Sequence, residues 1–370
     1  MHMSYPVFST CPAECPGCRH RHLTMNESIA QKTNYLCRIL EPWTDVIDAC
    51  QTLNQEPYTG YRTRISLTAQ YNGTDWQFGL MKRDKLIPIE NCPVQTGSTN
   101  HILQLLSHLL PPPSGFPLGY YIQSGKQITL VVKSKNIIDS SFLTEAFEHI
   151  LSEYGFEGLW IHLNPSAGKR MFTKNGWHLM WGSPFSRDEM KMIYGPSSFR
   201  QLIPSLYKQS VDEAEKFLQL TPDHKIADLY CGGGYTLTRW MEKGADTIGV
   251  ELDGRSIENA RRNAPNATIL RGKCSERIPQ LNAWINNDRN TKHFCIYVNP
   301  PRSGIEPEVL DWMITTARPG RISYLSCSAG TLRRDLTILQ KYQYRIEKII
   351  PYDFFPHTHH VEQLALISHF

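Results

Sequence analysis

The sequence predicts an α/β protein in which an open, mostly parallel sheet occupies the carboxy-terminal half. From residue 225 onward, short apolar strands alternate with glycine-containing turns and amphipathic helices. Several of these strands end in polar or reactive residues, which is where open α/β sheets bind their ligands. Before residue 190 strands of period two are more frequent, so we expect a smaller α+β region to precede the sheet.

The composition is that of an ordinary globular protein. Of 370 residues, 41% are hydrophobic and 20% charged, and the net charge of +4 is too small to indicate a partner. No apolar run has the length of a membrane span, and the first residues lack a signal-peptide pattern. Ten cysteines in this context predict a reducing, cytoplasmic location, where they serve metals or catalysis. We also expect a monomer.

The first motif is a cysteine loop near the amino terminus. Cys11, Cys15 and Cys18 are separated by prolines and a glycine, which predicts three thiolates facing one point. Cys92 is the candidate for a fourth ligand of an iron–sulfur cluster, and zinc is the competing metal. The C-x3-C-x2-C spacing is also that of radical S-adenosylmethionine enzymes, but no regular run of βα units that would build a barrel follows it.

We divide the chain into three regions. Residues 1–95 hold the cysteine loop, a helix and the first hairpins. Residues 96–190 form a central α+β region, expected to be one unit with the hairpins of residues 55–95. Residues 191–370 form the parallel sheet. The helix is predicted over residues 24–42 from its apolar spacing, and it is expected to pack on the carboxy-terminal region.

The stretch from residue 158 to residue 187 contains no acidic residue. Its cations, Lys169, Arg170, Lys174 and Arg187, alternate with tryptophan and phenylalanine. Positive charge beside aromatic rings is typical of surfaces that hold unstacked bases. The central region is therefore predicted to bind RNA, although some of the tryptophans must belong to the core.

A glycine turn at residues 231–235 follows the first strand of the parallel sheet. Asp246–Glu251 is predicted to be the second strand, and it ends in an acid about 20 residues after the turn. This is a Rossmann-like start, in which glycine lets the backbone approach a ligand and the acid accepts hydrogen bonds from ribose hydroxyls. The full G-x-G-x-x-G of a dinucleotide site is absent, so the pattern favours S-adenosylmethionine over NAD.

Later strands also end in polar residues. Asn299 follows the fourth strand and Cys327 the fifth, while Glu362 begins a last strand that we expect to be antiparallel. In this topology those three residues meet Gly232 and Glu251 at the carboxyl end of the sheet. Cys327 also precedes a helix N-terminus, which is expected to lower the pKa of its thiol. The sequence thus predicts a cleft that joins a cofactor loop to a nucleophile and a carboxylate.

Together these motifs resemble the uracil-5 RNA methyltransferase family, and specifically its iron–sulfur branch that modifies 23S ribosomal RNA. The likeness covers nearly the whole chain and is most specific in the carboxy-terminal region. The matching segments are Cys92 and residues 11–18, 60–64, 199–201, 228–232, 249–251, 299–304, 324–327 and 353–362.

The resemblance implies a class I methyltransferase fold with S-adenosylmethionine and a 4Fe–4S cluster as cofactors. It implies that Cys327 attacks C6 of a uracil, that C5 takes the methyl group, and that Glu362 removes the C5 proton as general base. The product would be 5-methyluridine in 23S ribosomal RNA. Four residues match the family's cofactor contacts, and two of the glycine turn complete the predicted set: Gln201, Tyr230, Glu251 and Asn299, with Gly232 and Tyr235.

Alternatives stay open at this point. Transfer RNA is the other substrate class of the family, although that branch generally lacks the cysteine loop. In a different class, the chain would be a radical S-adenosylmethionine enzyme that uses Cys11, Cys15 and Cys18. It could also be a non-catalytic iron–sulfur protein that binds RNA.

Overall fold

The computed structural model describes residues 8, 11–53, 58–136, 138–168, 170–287 and 293–370. The chain forms two compact units. The first unit contains Met1–Thr24 and Gln55–Leu202, and the second contains Met25–Asn54 and Ile203–Phe370. The amino-terminal part of the chain therefore contributes to both units.

The described residues form nine α-helices and sixteen strands. The helices are α1 Met25–Ile39, α2 Gly97–Leu109, α3 Glu145–Glu153, α4 Pro204–Leu218, α5 Tyr235–Glu242, α6 Gly254–Asn263, α7 Ile278–Asn286, α8 Pro307–Trp312 and α9 Ala329–Lys341. The strands are β1 Arg64–Tyr71, β2 Trp76–Lys82, β3 Lys85–Pro88, β4 Leu118–Ser124, β5 Gln127–Val132, β6 Gly158–Leu163, β7 Trp177–Gly182, β8 Ser186–Arg187, β9 Ile193–Tyr194, β10 His224–Leu229, β11 Asp246–Glu251, β12 Thr268–Arg271, β13 His293–Val298, β14 Arg321–Ser326, β15 Tyr344–Tyr352 and β16 Glu362–His369.

The sheet of the first unit has the strand order β3-β2-β1-β4-β5-β6-β7. Its neighbours are antiparallel except for β5 and β6, which are parallel. Alternate residues of β1 face inward, where Ile65 and Leu67 join Phe147 of α3 and Leu106 of α2 in one core. A hairpin turn, one of those predicted within residues 55–95, joins β1 to β2, and Asn72 Oδ1 closes it by accepting the backbone N–H groups of the two residues that precede β2.

The sheet of the second unit has the order β12-β11-β10-β13-β14-β16-β15. The strands from β12 to β14 are parallel, and β16 is antiparallel to both of its neighbours. This confirms the predicted Rossmann-like α/β fold and the reversed last strand. The central strands are apolar along almost their whole length, with Ile226, Ile296 and Ile322 fully buried, as expected for a sheet covered on both faces.

Helix α1 and the residues after it belong to this second unit. Leu36 and Leu40 are fully buried in its core. Beyond them the chain lies beside β15, where the backbone N–H of Asp48 donates to the carbonyl of Ile349 at 2.8 Å. The helix ends at Ile39, three residues before the predicted end. A 3₁₀ turn over Glu41–Val46 follows, and its second residue is Pro42. The proline explains the difference, because its ring excludes the residue before it from α-helical geometry.

No helix within the described ranges is both long enough and apolar enough to cross a membrane. All ten cysteines are free thiols.

Candidate active site

The glycine turn after β10 has left-handed backbone geometry at three positions. Tyr230, Gly232 and Gly234 have φ angles of 62°, 55° and 85°. Gly234 caps α5, and a Cβ there would lie 3.0 Å from the Cα of Ala260, so only glycine fits. A Cβ on Gly232 would meet nothing within 4 Å. The turn therefore leaves open space beside the N-terminus of a helix, where a ligand can approach the backbone.

The carboxylate of Glu251 holds this turn to the end of β11. Glu251 Oε2 accepts the backbone N–H of Gly232 at 2.9 Å. Its Oε1 accepts the N–H groups of Leu252 and Asp253, both at 2.8 Å. A carboxylate offers about four acceptor positions. Three are in use here, so the predicted ribose contact has to take the remaining one or share one of these.

Tyr230 is fixed by the loop that follows β13. Its hydroxyl donates to Glu306 Oε1 at 3.2 Å. Glu306 also accepts the backbone N–H groups of Cys274 and Ser275, at 3.2 and 3.4 Å. Asn299 continues the ladder beside β10, where its backbone N–H donates to the carbonyl of Leu229 at 3.3 Å. Tyr230 and Asn299 thus lie on adjacent chain segments at the carboxyl end of the sheet.

Tyr235 is the first residue of α5 and contacts α4. Its ring centroid is 5.4 Å from that of Tyr207. Arg239 Nη1 donates to its hydroxyl at 3.3 Å, and the same guanidinium pairs with Asp212 and Glu215 of α4 at 2.9 and 2.6 Å. The ion pairs fix the orientation of Tyr235 beside the glycine turn.

A buried acid, Asp228, lies beneath the turn. Its Oδ2 accepts the indole N–H of Trp240 at 2.9 Å. Burial raises the pKa of Asp228 to about 7, against the opposing effect of hydrogen bonds from Thr236 and Trp240. Tyr297 is its neighbour in the β10–β13 register and is also buried. From the sequence, Asp228 is placed in a strand and in the matching segment 228–232, but no role of its own is predicted, because an apolar run with one acid does not reveal how deeply that acid is buried.

Cys327 and Glu362 lie at adjacent positions across the sheet. Ser326 and Gln363 form the last register pair of β14 with β16; Cys327 follows the former and Glu362 precedes the latter. Ser328 then caps α9, with its side chain accepting from the backbone N–H of Thr331. Glu362 is 5% exposed, and Cys327 is half-buried. The structure therefore brings these two predicted residues together at the carboxyl end of the sheet.

The environment of Cys327 overturns one expectation. The helix N-terminus was expected to lower the pKa of this thiol, but the pKa is raised above its ordinary value. Burial is the main cause and the charge of Glu362 adds to it, while Arg302 opposes both. Both causes are tertiary, so the local motif could not reveal them. The free protein holds this cysteine as a thiol rather than a thiolate.

Asp335 joins the strand, loop and helix around Cys327. Its Oδ2 accepts from the hydroxyl of Tyr324 on β14 at 2.9 Å and from the backbone N–H of Ile305 at 3.1 Å. Its Oδ1 accepts from Arg334 Nε at 2.7 Å. The sequence contains one signal of this role, since Asp335 falls between Leu332 and Leu339 on the buried stripe of α9. An acid on such a stripe needs buried donors.

The four cysteines of the predicted cluster belong to the first unit. Arg21 shapes the loop by donating to the carbonyls of Cys15 and Ala13, at 2.9 and 2.6 Å. Burial raises the pKa of Cys18 to about 12, and the charge of Cys92 adds to this. Burial likewise raises the pKa of Cys11, with added effects from Cys92 and Cys15. The four thiols are therefore within electrostatic reach of one another.

The fit to a metal is incomplete. Among the residues that the structure describes, no three His, Cys, Asp or Glu side chains are placed to hold one metal ion. A four-iron cluster holds its thiolates farther apart than a single ion does, so the finding bears more directly on zinc. The predicted cluster has no further support from the geometry.

The predicted RNA-binding stretch is partly a packed structure. Trp160 Nε1 donates to Gln127 Oε1 at 2.7 Å, and Trp177 Nε1 donates to the carbonyl of Thr173 at 3.0 Å. Arg170, Lys174 and Arg187 are exposed, whereas Lys169 falls outside the described residues. Gln201, from the predicted cofactor set, lies at the end of the first unit. Its buried Oε1 has no hydrogen-bond partner within the described part of the chain.

A family model for tRNA (uracil-5-)-methyltransferase matches residues 281–369, which include Cys327 and Glu362. An uncharacterized RNA methyltransferase of Clostridium acetobutylicum is 28% identical, over 96% of this chain and 82% of the relative. An uncharacterized RNA methyltransferase of Listeria innocua is 26% identical, over 96% of this chain and 82% of the relative.

A solved structure shares the fold. The crystal structure of Pyrococcus abyssi tRNA (uracil-54, C5)-methyltransferase in complex with S-adenosyl-L-homocysteine aligns with a TM-score of 0.74. The alignment covers 97% of this chain and 86% of that one, at 24% sequence identity.

Proposed function

Because this chain belongs to the RNA (uracil-5-)-methyltransferase family, whose enzymes use S-adenosylmethionine, we propose that it converts one uridine of 23S ribosomal RNA to 5-methyluridine through a covalent adduct. The observation that carries this proposal is the proximity of Cys327 and Glu362: both lie one step beyond the last register pair of β14 with β16, and the charge of Glu362 acts on the Cys327 thiol. Residues opposite each other in an antiparallel pair have Cβ atoms about 4.5–5.5 Å apart, and Cys327 and Glu362 directly follow and precede such a pair. Two neighbouring groups of this kind suit a reaction at the bonded atoms C6 and C5 of one pyrimidine ring.

In the proposed reaction the sulfur of Cys327 adds to C6, and the displaced electron pair makes C5 nucleophilic. C5 then attacks the methyl group of S-adenosylmethionine, leaving S-adenosylhomocysteine. Glu362 removes the C5 proton, the double bond re-forms, and the Cys327 thiolate leaves. Covalent catalysis divides one difficult substitution into easier steps, and a carboxylate at close range serves as the base.

The proton of Cys327 must leave before the attack. In the free protein the neighbouring charge of Glu362 and burial keep the thiol protonated, while Arg302 favours the thiolate. A uracil bound between these groups would change both influences. The raised pKa therefore favours a nucleophile that becomes more reactive when RNA is bound.

The proposed place for S-adenosylmethionine is the glycine turn. When bound there, S-adenosylmethionine would supply the electrophilic methyl group. The open space at Gly232, the free acceptor position of Glu251 and the fixed rings of Tyr230 and Tyr235 support this placement. Asn299 would contact the cofactor from the loop after β13. Gln201 stays in the proposed set on the resemblance alone.

For the substrate we favour 23S ribosomal RNA, since the iron–sulfur branch of the family modifies it and the cysteine loop resembles that branch. In this proposal Cys11, Cys15, Cys18 and Cys92 hold a 4Fe–4S cluster, and the protein acts as a monomer. Transfer RNA is the second candidate, favoured by the description of the matching family model.

The test of the proposed function is a map of 5-methyluridine in total RNA from cells with and without this protein. We expect one site in 23S ribosomal RNA to lose the modification and to regain it when the gene is restored. Loss confined to transfer RNA would select the second candidate. An unchanged map in both RNA classes would contradict the proposal.

A further inference from the structure

A buried ion pair anchors the segment between β15 and β16. Lys32 Nζ of α1 lies 2.6 Å from Asp353 Oδ1, and the two side chains are 1% and 0% exposed. Lys32 Nζ also donates to the carbonyl of Phe355 at 3.3 Å. The partners are 321 residues apart in the chain. The pair thus attaches an amino-terminal helix to the connection that precedes β16.

That connection leads to Glu362. Tyr352, the residue before Asp353, is the register partner of Glu362 in the β15–β16 ladder. The carbonyl of Phe355, which Lys32 contacts, also accepts the backbone N–H and the hydroxyl of Thr358, at 3.1 and 2.8 Å. Lys32 therefore contacts the turn that leads into β16, and Glu362 is the first residue of that strand.

A buried ion pair is weak evidence for a gain in stability. Two charges lose their hydration on burial, and their attraction often fails to offset that cost. Apolar side chains of similar volume are often equally stabilising or more so. What the pair does provide is a defined geometry, because the ammonium group contacts both Asp353 and Phe355 at fixed distances. That property is useful where the position of a neighbouring group matters.

We propose that Lys32 and Asp353 are positioning residues that hold the 353–361 turn so that Glu362 is aligned for removal of the C5 proton. The inference rests on the proposed function, since it takes Glu362 as the base. Both side chains are buried, so they act on the reaction through the turn and not by contact with RNA. Their loss should slow the deprotonation step more than substrate binding or methyl transfer.

The test removes both charges at once with the double variant Lys32→Met and Asp353→Asn, which keeps the side-chain volumes and leaves no buried charge unpaired. We expect a folded protein whose KM for RNA is unchanged and whose kcat falls about 10- to 100-fold, the effect of a small misplacement of a reacting group. We also expect a methylated, covalent enzyme–RNA adduct to accumulate on a denaturing gel.

A second ion pair is the matched control. Lys348 Nζ and Asp48 Oδ2 are 2.7 Å apart and also join the amino-terminal segment to β15, but their side chains are 40% and 38% exposed. The double variant Lys348→Met and Asp48→Asn should leave both kcat and the amount of adduct unchanged. Glu362→Gln, assayed in parallel, shows how much adduct a blocked deprotonation gives.

Turnover at the wild-type rate by a folded Lys32→Met and Asp353→Asn variant would overturn the inference. If the rates of methyl transfer and of adduct breakdown fell by the same factor in this variant, the inference would be overturned too. Should the double variant not fold, Lys32→Met alone, which removes the contacts with both Asp353 and Phe355, replaces it with the same expectation. Failure of both to fold would assign the pair to stability. Absence of adduct from Glu362→Gln would remove the proposed function itself.

Discussion

Cys327 is the first residue after β14 and Glu362 is the first residue of β16, so both lie one step beyond Ser326 with Gln363, the last register pair of these antiparallel strands. The arrangement results from a single reversal in an otherwise parallel series of strands. If β16 were parallel to β14, Glu362 would begin at the far end of the sheet. The reversed strand is therefore what places a carboxylate beside a cysteine that ends a parallel strand.

The reactivity of Cys327 should respond in opposite directions to its two charged neighbours. Glu362→Gln removes a negative charge that disfavours the thiolate, so the pKa should fall and alkylation by iodoacetamide at pH 8 should be faster. Arg302→Gln removes a stabilising positive charge and should slow it. We expect changes of about 3- to 10-fold, since one pKa unit is a factor of ten. Mass spectrometry of the peptide containing Cys327 measures the rate. Equal rates in all three proteins would contradict this electrostatic account.

Asp228 should make stability depend on pH near neutrality. Burial raises its pKa to about 7. The pKa of an aspartate in an unfolded chain is much lower, at about 3.9. The folded protein therefore prefers the neutral acid. The stabilisation is complete below the unfolded pKa and is lost as the pH rises through about 7. From pH 5 to pH 8 the free energy of unfolding should fall by about 2–3 kcal/mol more in the wild type than in Asp228→Asn.

Denaturant unfolding of both proteins at several pH values measures this difference. The side chain at position 228 of Asp228→Asn remains neutral at every pH. The variant is therefore the reference for the wild type, because all other titrating groups are the same in both proteins. Parallel curves for the two proteins would show that the carboxyl group is charged in the folded protein at neutral pH.

The cysteine loop should bind iron. Protein purified without oxygen should contain iron and sulfide in equal amounts and absorb broadly as a brown solution. Cys92→Ser should lose this absorbance, because it removes a ligand. Cys37→Ser is the control, since Cys37 lies on α1 in the other unit and should retain it. One equivalent of zinc without iron would contradict the cluster, and reductive cleavage of S-adenosylmethionine would favour the radical alternative.

Arg170 and Lys174 should contribute to RNA binding. Both are exposed beside partly buried aromatic rings, and the double alanine variant should weaken binding and flatten its salt dependence. Each lost phosphate contact to a single strand lowers the slope of log K against log salt by about 0.7. Replacing Lys82 and Arg83, exposed at the β2–β3 turn of the same unit, is the control. A slope unchanged by the first pair would assign it to a solvated face.

The sequence was informative where local pattern decides structure. Apolar strands that alternate with helices predicted the parallel sheet, and the ends of those strands predicted where Cys327, Asn299 and Glu251 would lie. These inferences succeed because strand direction and side-chain alternation follow from short-range geometry.

Effects that depend on distant residues could not be read in this way. Lys32 falls on the buried stripe of α1 with Met25 and Leu36, but only the folded chain shows that its partner is Asp353. The raised pKa of Cys327 depends on burial and on Glu362, which are tertiary properties. Asp335 gave a partial signal, as an acid on an apolar stripe, but its partners Tyr324 and Ile305 come from other elements.

The most direct test of the proposed chemistry is a denaturing gel of the Glu362→Gln protein after incubation with S-adenosylmethionine and substrate RNA. A carboxamide cannot accept the C5 proton, and loss of a general base typically slows a step about 10²–10⁴-fold. Cys327 should still attack and methyl transfer should still occur, so a methylated enzyme–RNA adduct should accumulate. Cys327→Ala should bind RNA yet give neither adduct nor product. Normal turnover by Glu362→Gln without adduct, or product from Cys327→Ala, would contradict the account.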